Sequence, residues 1–116
     1  MDRLPTFQVN WARNAIIDLE AIIEYIADDD ITTALSILKK LERTAKGLKT
    51  MPLRERIVPE IASYGIQIYR ELISSPWKII YRISGRSVSV VSVLDGRRNL
   101  EDILFERLVR GITTDR

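Results

Sequence analysis

The spacing of apolar residues changes near Gly65 from a long helical stretch to a long strand-like one, and that change restricts the possible folds more than any other feature. Before it, from Ala12 to Leu48, apolar residues return every three or four positions, as on one face of a helix. After it, from Ile66 to Leu94, the sequence is rich in Ile, Val, Tyr and Trp with short breaks, the composition that pleated surfaces prefer. Helices followed by consecutive strands predict an α+β fold, with the helices gathered on one face of the sheet.

Punctuation refines this reading. Thr6 to Asn10 reads as a short strand, with Phe7 and Val9 alternating with Gln8 and Asn10 and Pro5 marking its start. From Ala12 the residues Ala15, Ile16, Leu19, Ile22, Ile23 and Ile26 draw an amphipathic helix whose other faces hold Arg13, Asn14, Glu20 and Glu24. Asp28, Asp29 and Asp30 end it, and Asp30 or Thr32 can cap a second helix. In that helix Ala34, Ile37, Leu38, Leu41, Ala45 and Leu48 form the buried stripe, while Lys39, Lys40, Arg43, Lys46 and Lys49 lie toward water. Pro52 stops it. Strands are predicted over Ile66–Ile73, Trp77–Ser84 and Ser87–Leu94, and their short breaks make an antiparallel meander. Asn99 caps a last helix with Leu100, Ile103, Leu104 and Leu108 on one face; Arg107 and Arg110 lie near its end, and Gly111 is its expected stop. The order β-α-α-β-β-β-α is expected to place an N-terminal strand and a helical hairpin on a small antiparallel sheet. It occupies one domain spanning residues 1–116, with a core of about residues 6–110, and leaves the opposite sheet face partly open.

Composition removes several classes of function. With no Cys there is no disulfide framework and no thiolate metal site, and with no His the usual proton shuttle near neutral pH is missing. No metal-ligand spacing and no phosphate-cradling Gly-rich loop is present, so no cofactor is expected. No stretch approaches the roughly 20 apolar residues of a membrane span, and Met1 to Gln8 lacks a signal-peptide run. A cytoplasmic protein is expected. The net charge of +2 is mild, but its distribution is uneven: between Ile66 and Arg98, six basic residues face two acidic ones.

Those six include Arg70, Lys78, Arg82, Arg97 and Arg98. Strand alternation places Lys78, Ile80 and Arg82 on one face of the central strand, with Arg97 and Arg98 at its rim. Such a platform would receive carboxylates or phosphates bidentately, from an acidic peptide or a nucleic-acid backbone; the plain alternative is a set of solvated strand charges. Tyr64, Tyr69 and Trp77 stand near these bases and could stack on nucleotides, although strand aromatics more often fill cores. Glu71 and Asp95 are the candidate acid/base carboxylates. A carboxylate beside Arg is more often a structural ion pair.

Val9, Trp11, Ala15, Asp18, Leu19, Tyr25 and Ile26, followed by Pro52, Arg56, Val58, Pro59 and Glu60, resemble the opening and middle turn of the RelE/ParE toxin superfamily. Tyr69 to Leu72, Trp77 to Ile83 and Val90 to Arg98 resemble its central strands and exit. The resemblance covers roughly residues 7 to 110. It implies the toxin of a type II toxin–antitoxin system, neutralised by an acidic antitoxin that folds upon it. Members resembling ParE bind DNA gyrase without nuclease activity; members resembling RelE cut mRNA on the ribosome. Many relatives carry His in the turn before the paired arginines, where Asp95 stands here, and an acid there would repel a scissile phosphate. The resemblance thus favours a ParE-like gyrase inhibitor over a metal-independent endoribonuclease or a non-toxic interaction module. For the nuclease case the implied residues are Lys78, Arg82 and Arg98, with Glu71 or Tyr81 as proton acceptor. For antitoxin or target binding they are Arg70, Lys78, Arg82, Arg97 and Arg98.

Overall fold

A computed structural model describes residues 6–114, with side chains as far as Val109. Pro5 and the Arg110 side chain, both given roles above, lie outside the described set. The fold is α+β. Strand β1 (Gln8–Trp11) leads into helix α1 (Arg13–Ala27), which turns through the aspartate run into helix α2 (Ile31–Lys46). Asp30 caps α2, accepting from the Thr33 backbone N–H at 3.2 Å and from its hydroxyl at 2.8 Å. The Thr33 hydroxyl bond is the main reason the Asp30 carboxyl titrates below its ordinary range. Two 3₁₀ turns (Gly47–Lys49, Pro52–Arg54) and the short helix α3 (Pro59–Ala62) carry the chain to strands β2 (Tyr69–Ser74), β3 (Trp77–Ser84) and β4 (Ser87–Asp95).

The meander forms as the strand pattern predicts, with both of its strand pairs antiparallel. The sheet order is β1-β4-β3-β2, and β1 joins as a fourth strand running parallel to β4, from Gln8 opposite Ser87 to Trp11 opposite Val90. A register shift after Ile80 moves the pairing from Ile80–Ser92 to Tyr81–Val90, leaving Val91 as an extra residue in β4. Gly85 turns β3 into β4 at φ +59°, where a side chain would be strained.

The hairpin of α1 and α2 covers one sheet face. There Ala15, Leu19, Leu41, Ala45 and Leu48 pack on Ile79, Tyr81, Val88, Val90 and Val93 in one apolar cluster. The opposite face corrects the expectation of an open surface. Val58, Ile61, Leu100 and Leu104, brought in by α3 and helix α4 (Leu100–Thr114), close over Ile80 and Leu94 in a second cluster. The alternation of β3 marked Ile80 as belonging to this face. What it did not convey was that burying Ile80 there, at 1% exposure, requires a lid. Gly111 does not stop α4, which continues to Thr114. A glycine disfavours a helix interior by only about 1 kcal/mol, and it ends a helix only where the backbone turns left-handed.

Candidate functional site

Arg70, Lys78, Arg82, Arg97 and Arg98 do not converge on one platform. Arg70 stands opposite Tyr81 in the β2–β3 register and so shares the hairpin face, away from Lys78 and Arg82. Its guanidinium donates to the Glu55 carbonyl at 2.6 Å. Lys78 lies on the expected face but is closed off. Its ammonium sits 3.3 Å from Glu71 Oε1 and 3.6 Å from Glu60 Oε2, its side chain is 14% exposed, and Arg56 pairs with the other oxygen of Glu71. The stem of Lys78 is pressed against Gly96, where an added Cβ would lie 3.2 Å from Lys78 Cγ and 3.1 Å from the Pro76 carbonyl oxygen. The expected open lysine is therefore part of a partly buried charge cluster, whose Arg56 stays 61% exposed and in which Glu60 Oε1 is left without a hydrogen-bond partner.

At the rim, Arg97 folds back on Asp95 through its Nε and Nη2, at 2.9 and 2.8 Å. The Arg97 side-chain bond, with the Arg97 backbone N–H behind it, holds the Asp95 carboxyl down to about 2. A folded value depressed below the unfolded ~3.9 means that this clasp stabilises above that range and is lost as pH falls through about 2. Asp95 is thus ionised near neutrality and no proton donor.

Arg82 and Arg98 make no ion pair among the described residues, and both are exposed. They stand near opposite ends of β3, for Arg82 pairs with Ser89 while Arg98 follows Asp95, the partner of Trp77. The five steps from Trp77 to Arg82 span about 16 Å of strand.

The remaining nuclease candidates serve the fold. Glu71 is 1% exposed and lies within the charge cluster. Tyr81 is fully buried and donates its hydroxyl to the Pro52 carbonyl at 2.6 Å. Burial first, then the nearby Glu55 carboxylate, pushes that phenol up to about 12. Together Tyr81 and Arg70 fasten the Pro52–Glu55 loop to the hairpin face of the sheet. The aromatic residues make packing contacts, although Tyr64 stays 58% exposed. Trp77 joins the hairpin-side cluster, Tyr69 joins the other, and Tyr64 meets Phe105 edge-on at 4.6 Å while donating to Glu101.

Two features escaped the sequence reading of the site. Asp18 accepts from Arg107 at 2.6 Å and from the Val93 backbone N–H at 3.0 Å, tying α1 and α4 to β4 beyond the end of β1. Its signal was its position, three residues after buried Ala15 and four before Ile22, which puts a carboxylate in an apolar stripe. The second is a cleft of about 600 Å³ lined by Trp11, Ile16, Leu19, Ile23 and Leu38 with Glu20, Glu24 and Glu42. Among the described residues no group of His, Cys, Asp and Glu could hold a metal ion. No helix there is long and apolar enough to cross a membrane.

A helical hairpin on a four-stranded sheet is a fold this chain shares with solved toxin–antitoxin proteins. Residues 9–100 match the ParE toxin family of type II toxin–antitoxin systems, and the chain belongs to that family. Toxin ParE3 of Caulobacter vibrioides is 24% identical over 88 residues, which span 72% of this chain and 80% of that protein. The chromosomal ParDE TA system from P. aeruginosa superposes with a TM-score of 0.61 at 20% identity, over 76% of this chain and 94% of that one. The toxin–antitoxin complex RelBE2 from Mycobacterium tuberculosis gives 0.59 at 19% identity, over 82% and 97%. Those two likenesses establish the shared fold.

Proposed function

We propose that this toxin acts by binding rather than by cutting RNA, that its target is DNA gyrase, and that an acidic antitoxin holds it inactive. One observation carries the choice: every group able to move a proton in the nuclease reading is committed to the fold. A phenol with a value near 12 is ionised at pH 7 in only about one molecule in 10⁵, and the Tyr81 proton is already given to Pro52. Glu71 and Lys78 neutralise one another in the cluster with Glu60 and Arg56. Arg82 and Arg98 remain able to hold phosphate, but they stand near opposite ends of β3.

The antitoxin partner is supported by the kinds of relative this chain has, a ParDE TA system and a RelBE2 toxin–antitoxin complex. It is supported also by unpaired surface cations. On α2, Lys39, Arg43 and Lys46 follow one another at helical spacing on the face away from the core and make no ion pair among the described residues.

The test is a supercoiling assay with purified gyrase, run beside a check of transcript integrity after induction. Inhibited supercoiling with intact transcripts is expected. Unimpaired gyrase at molar excess of toxin, with messages cut within codons, would replace this reading by the ribonuclease one.

A further inference from the structure

The segment between α2 and α3 holds two large apolar side chains in water on a backbone clamped from behind. Three of its carbonyls accept from distant parts of the fold: Lys49 from the Phe7 backbone N–H at 2.8 Å, Pro52 from the Tyr81 hydroxyl and Glu55 from the Arg70 guanidinium, the last two at 2.6 Å. Pro52 is buried, while its neighbours Met51 and Leu53 stay 51% and 65% exposed. Met51 also adopts the left-handed conformation, at φ +55°, as no other non-glycine residue among those described does. That conformation crowds a Cβ against the following carbonyl oxygen, so glycine or asparagine is its usual occupant. Methionine there costs the fold twice, in backbone strain and in apolar surface left in water. Strain that the surrounding bonds over-determine, coinciding with exposed apolar side chains, marks a contact surface.

We propose that Met51 and Leu53 form the knob by which the toxin docks on gyrase, entering an apolar pocket with an acidic rim on the surface of that enzyme. The inference rests on the gyrase reading and adds the contact residues and the chemistry they require of the target. Charge sets the rim. Lys49 precedes the two apolar residues and Arg54 follows them, and both are exposed. Lys49 makes no ion pair among the described residues, and Arg54 has only a long one, to Glu55 at 3.8 Å. Shape sets the kind of partner. A knob whose backbone is already fixed loses little freedom on entering a preformed pocket. A chain that folds as it binds instead lays a helix in a groove or a strand along a sheet edge, and this knob offers neither. Methionine and arginine are also residues that interfaces favour over the rest of a protein surface.

Inhibition of supercoiling by purified gyrase, titrated with the intact chain, reads the contact. Leu53→Ser and Met51→Gly should each raise the toxin concentration for half-inhibition at least about tenfold, with thermal unfolding moved no further than surface substitutions move it. Arg54→Glu should weaken inhibition severalfold and flatten its dependence on salt. Ile31→Ser, at an apolar residue of α2 that is 66% exposed, should leave inhibition unchanged. Should one of the loop variants lose its folded circular dichroism, the other carries the test. Loop variants that inhibit like the unaltered chain overturn the inference and leave the gyrase reading standing, and so does an equal loss in Ile31→Ser. Loop variants that still inhibit gyrase but are no longer relieved by a co-expressed acidic antitoxin would assign the knob to that partner and overturn the inference too. An unaltered chain without effect on gyrase would remove the reading itself, and the knob's role with it.

Discussion

The two faces of the sheet are closed by different chemistry. Under the helical hairpin, ten buried apolar residues, from Ala15 through Tyr81 to Val93, form one cluster, and the Tyr81 hydroxyl is satisfied by a carbonyl. Under α3 and α4 six buried apolar residues assemble among the described residues, and beside them lies a four-membered charge cluster, Arg56, Glu71, Lys78 and Glu60. The first face is held by area removed from water, which is insensitive to which apolar side chain supplies it. The second depends on each charge keeping its partner, since a buried ion pair adds little net stability but is costly to break.

Removing one member of the cluster should therefore have the largest effect. Glu71→Ala is expected to cost about 4 kcal/mol by leaving Lys78 and Arg56 without their shared carboxylate, seen as a lower urea midpoint at unchanged slope. The double change Glu71→Leu/Lys78→Met should recover most of the loss. If the single change alone is harmless, the charge cluster is not what closes this face. On the hairpin side Leu41→Ala, at a residue with no exposure, should cost about 3 kcal/mol through lost contact and a residual cavity. No partner substitution is there to rescue it, and that asymmetry is the measurable form of the difference between the faces.

Next in size is Tyr81→Phe. It deletes the hydroxyl that donates to Pro52 and leaves a buried carbonyl unpaired, a loss of about 1–2 kcal/mol. Hydrogen exchange should locate the loosening in the Pro52–Glu55 loop, and an unchanged loop would mean that Arg70 alone secures it.

The same contrast explains what the sequence disclosed. The hairpin face was readable because its apolar residues obey helix and strand periods: Leu41 and Ala45 fall on the predicted stripe and are fully buried. The element order, the Asp30 cap and the β3 alternation were legible for that reason. The charge cluster was not, because Glu60, Glu71 and Lys78 sit in the pattern as solvent-facing residues would. Only the approach of α3, a contact between residues far apart in the chain, draws Lys78 and Glu71 out of water, while Glu60 stays partly exposed. The cationic platform failed on the same point, since alternation assigns a side chain to a face without saying what lies over it. The parallel pairing of β1 with β4 was likewise hidden, as it joins segments nearly eighty residues apart.

Lys78 and Arg82 state the difference most narrowly, being four residues apart on one strand face. Lys78 is drawn under the lid by two carboxylates, while Arg82 lies beyond it, exposed and without an ion pair among the described residues. Arg82→Ala should shift stability by less than about 0.5 kcal/mol, as surface substitutions do. Any loss of growth inhibition in that variant would then report recognition and not folding. A shift above about 1 kcal/mol in its thermal unfolding would show Arg82 to be part of the fold. The second face would then be charge-closed along its whole length, and the contrast between these two neighbours would disappear.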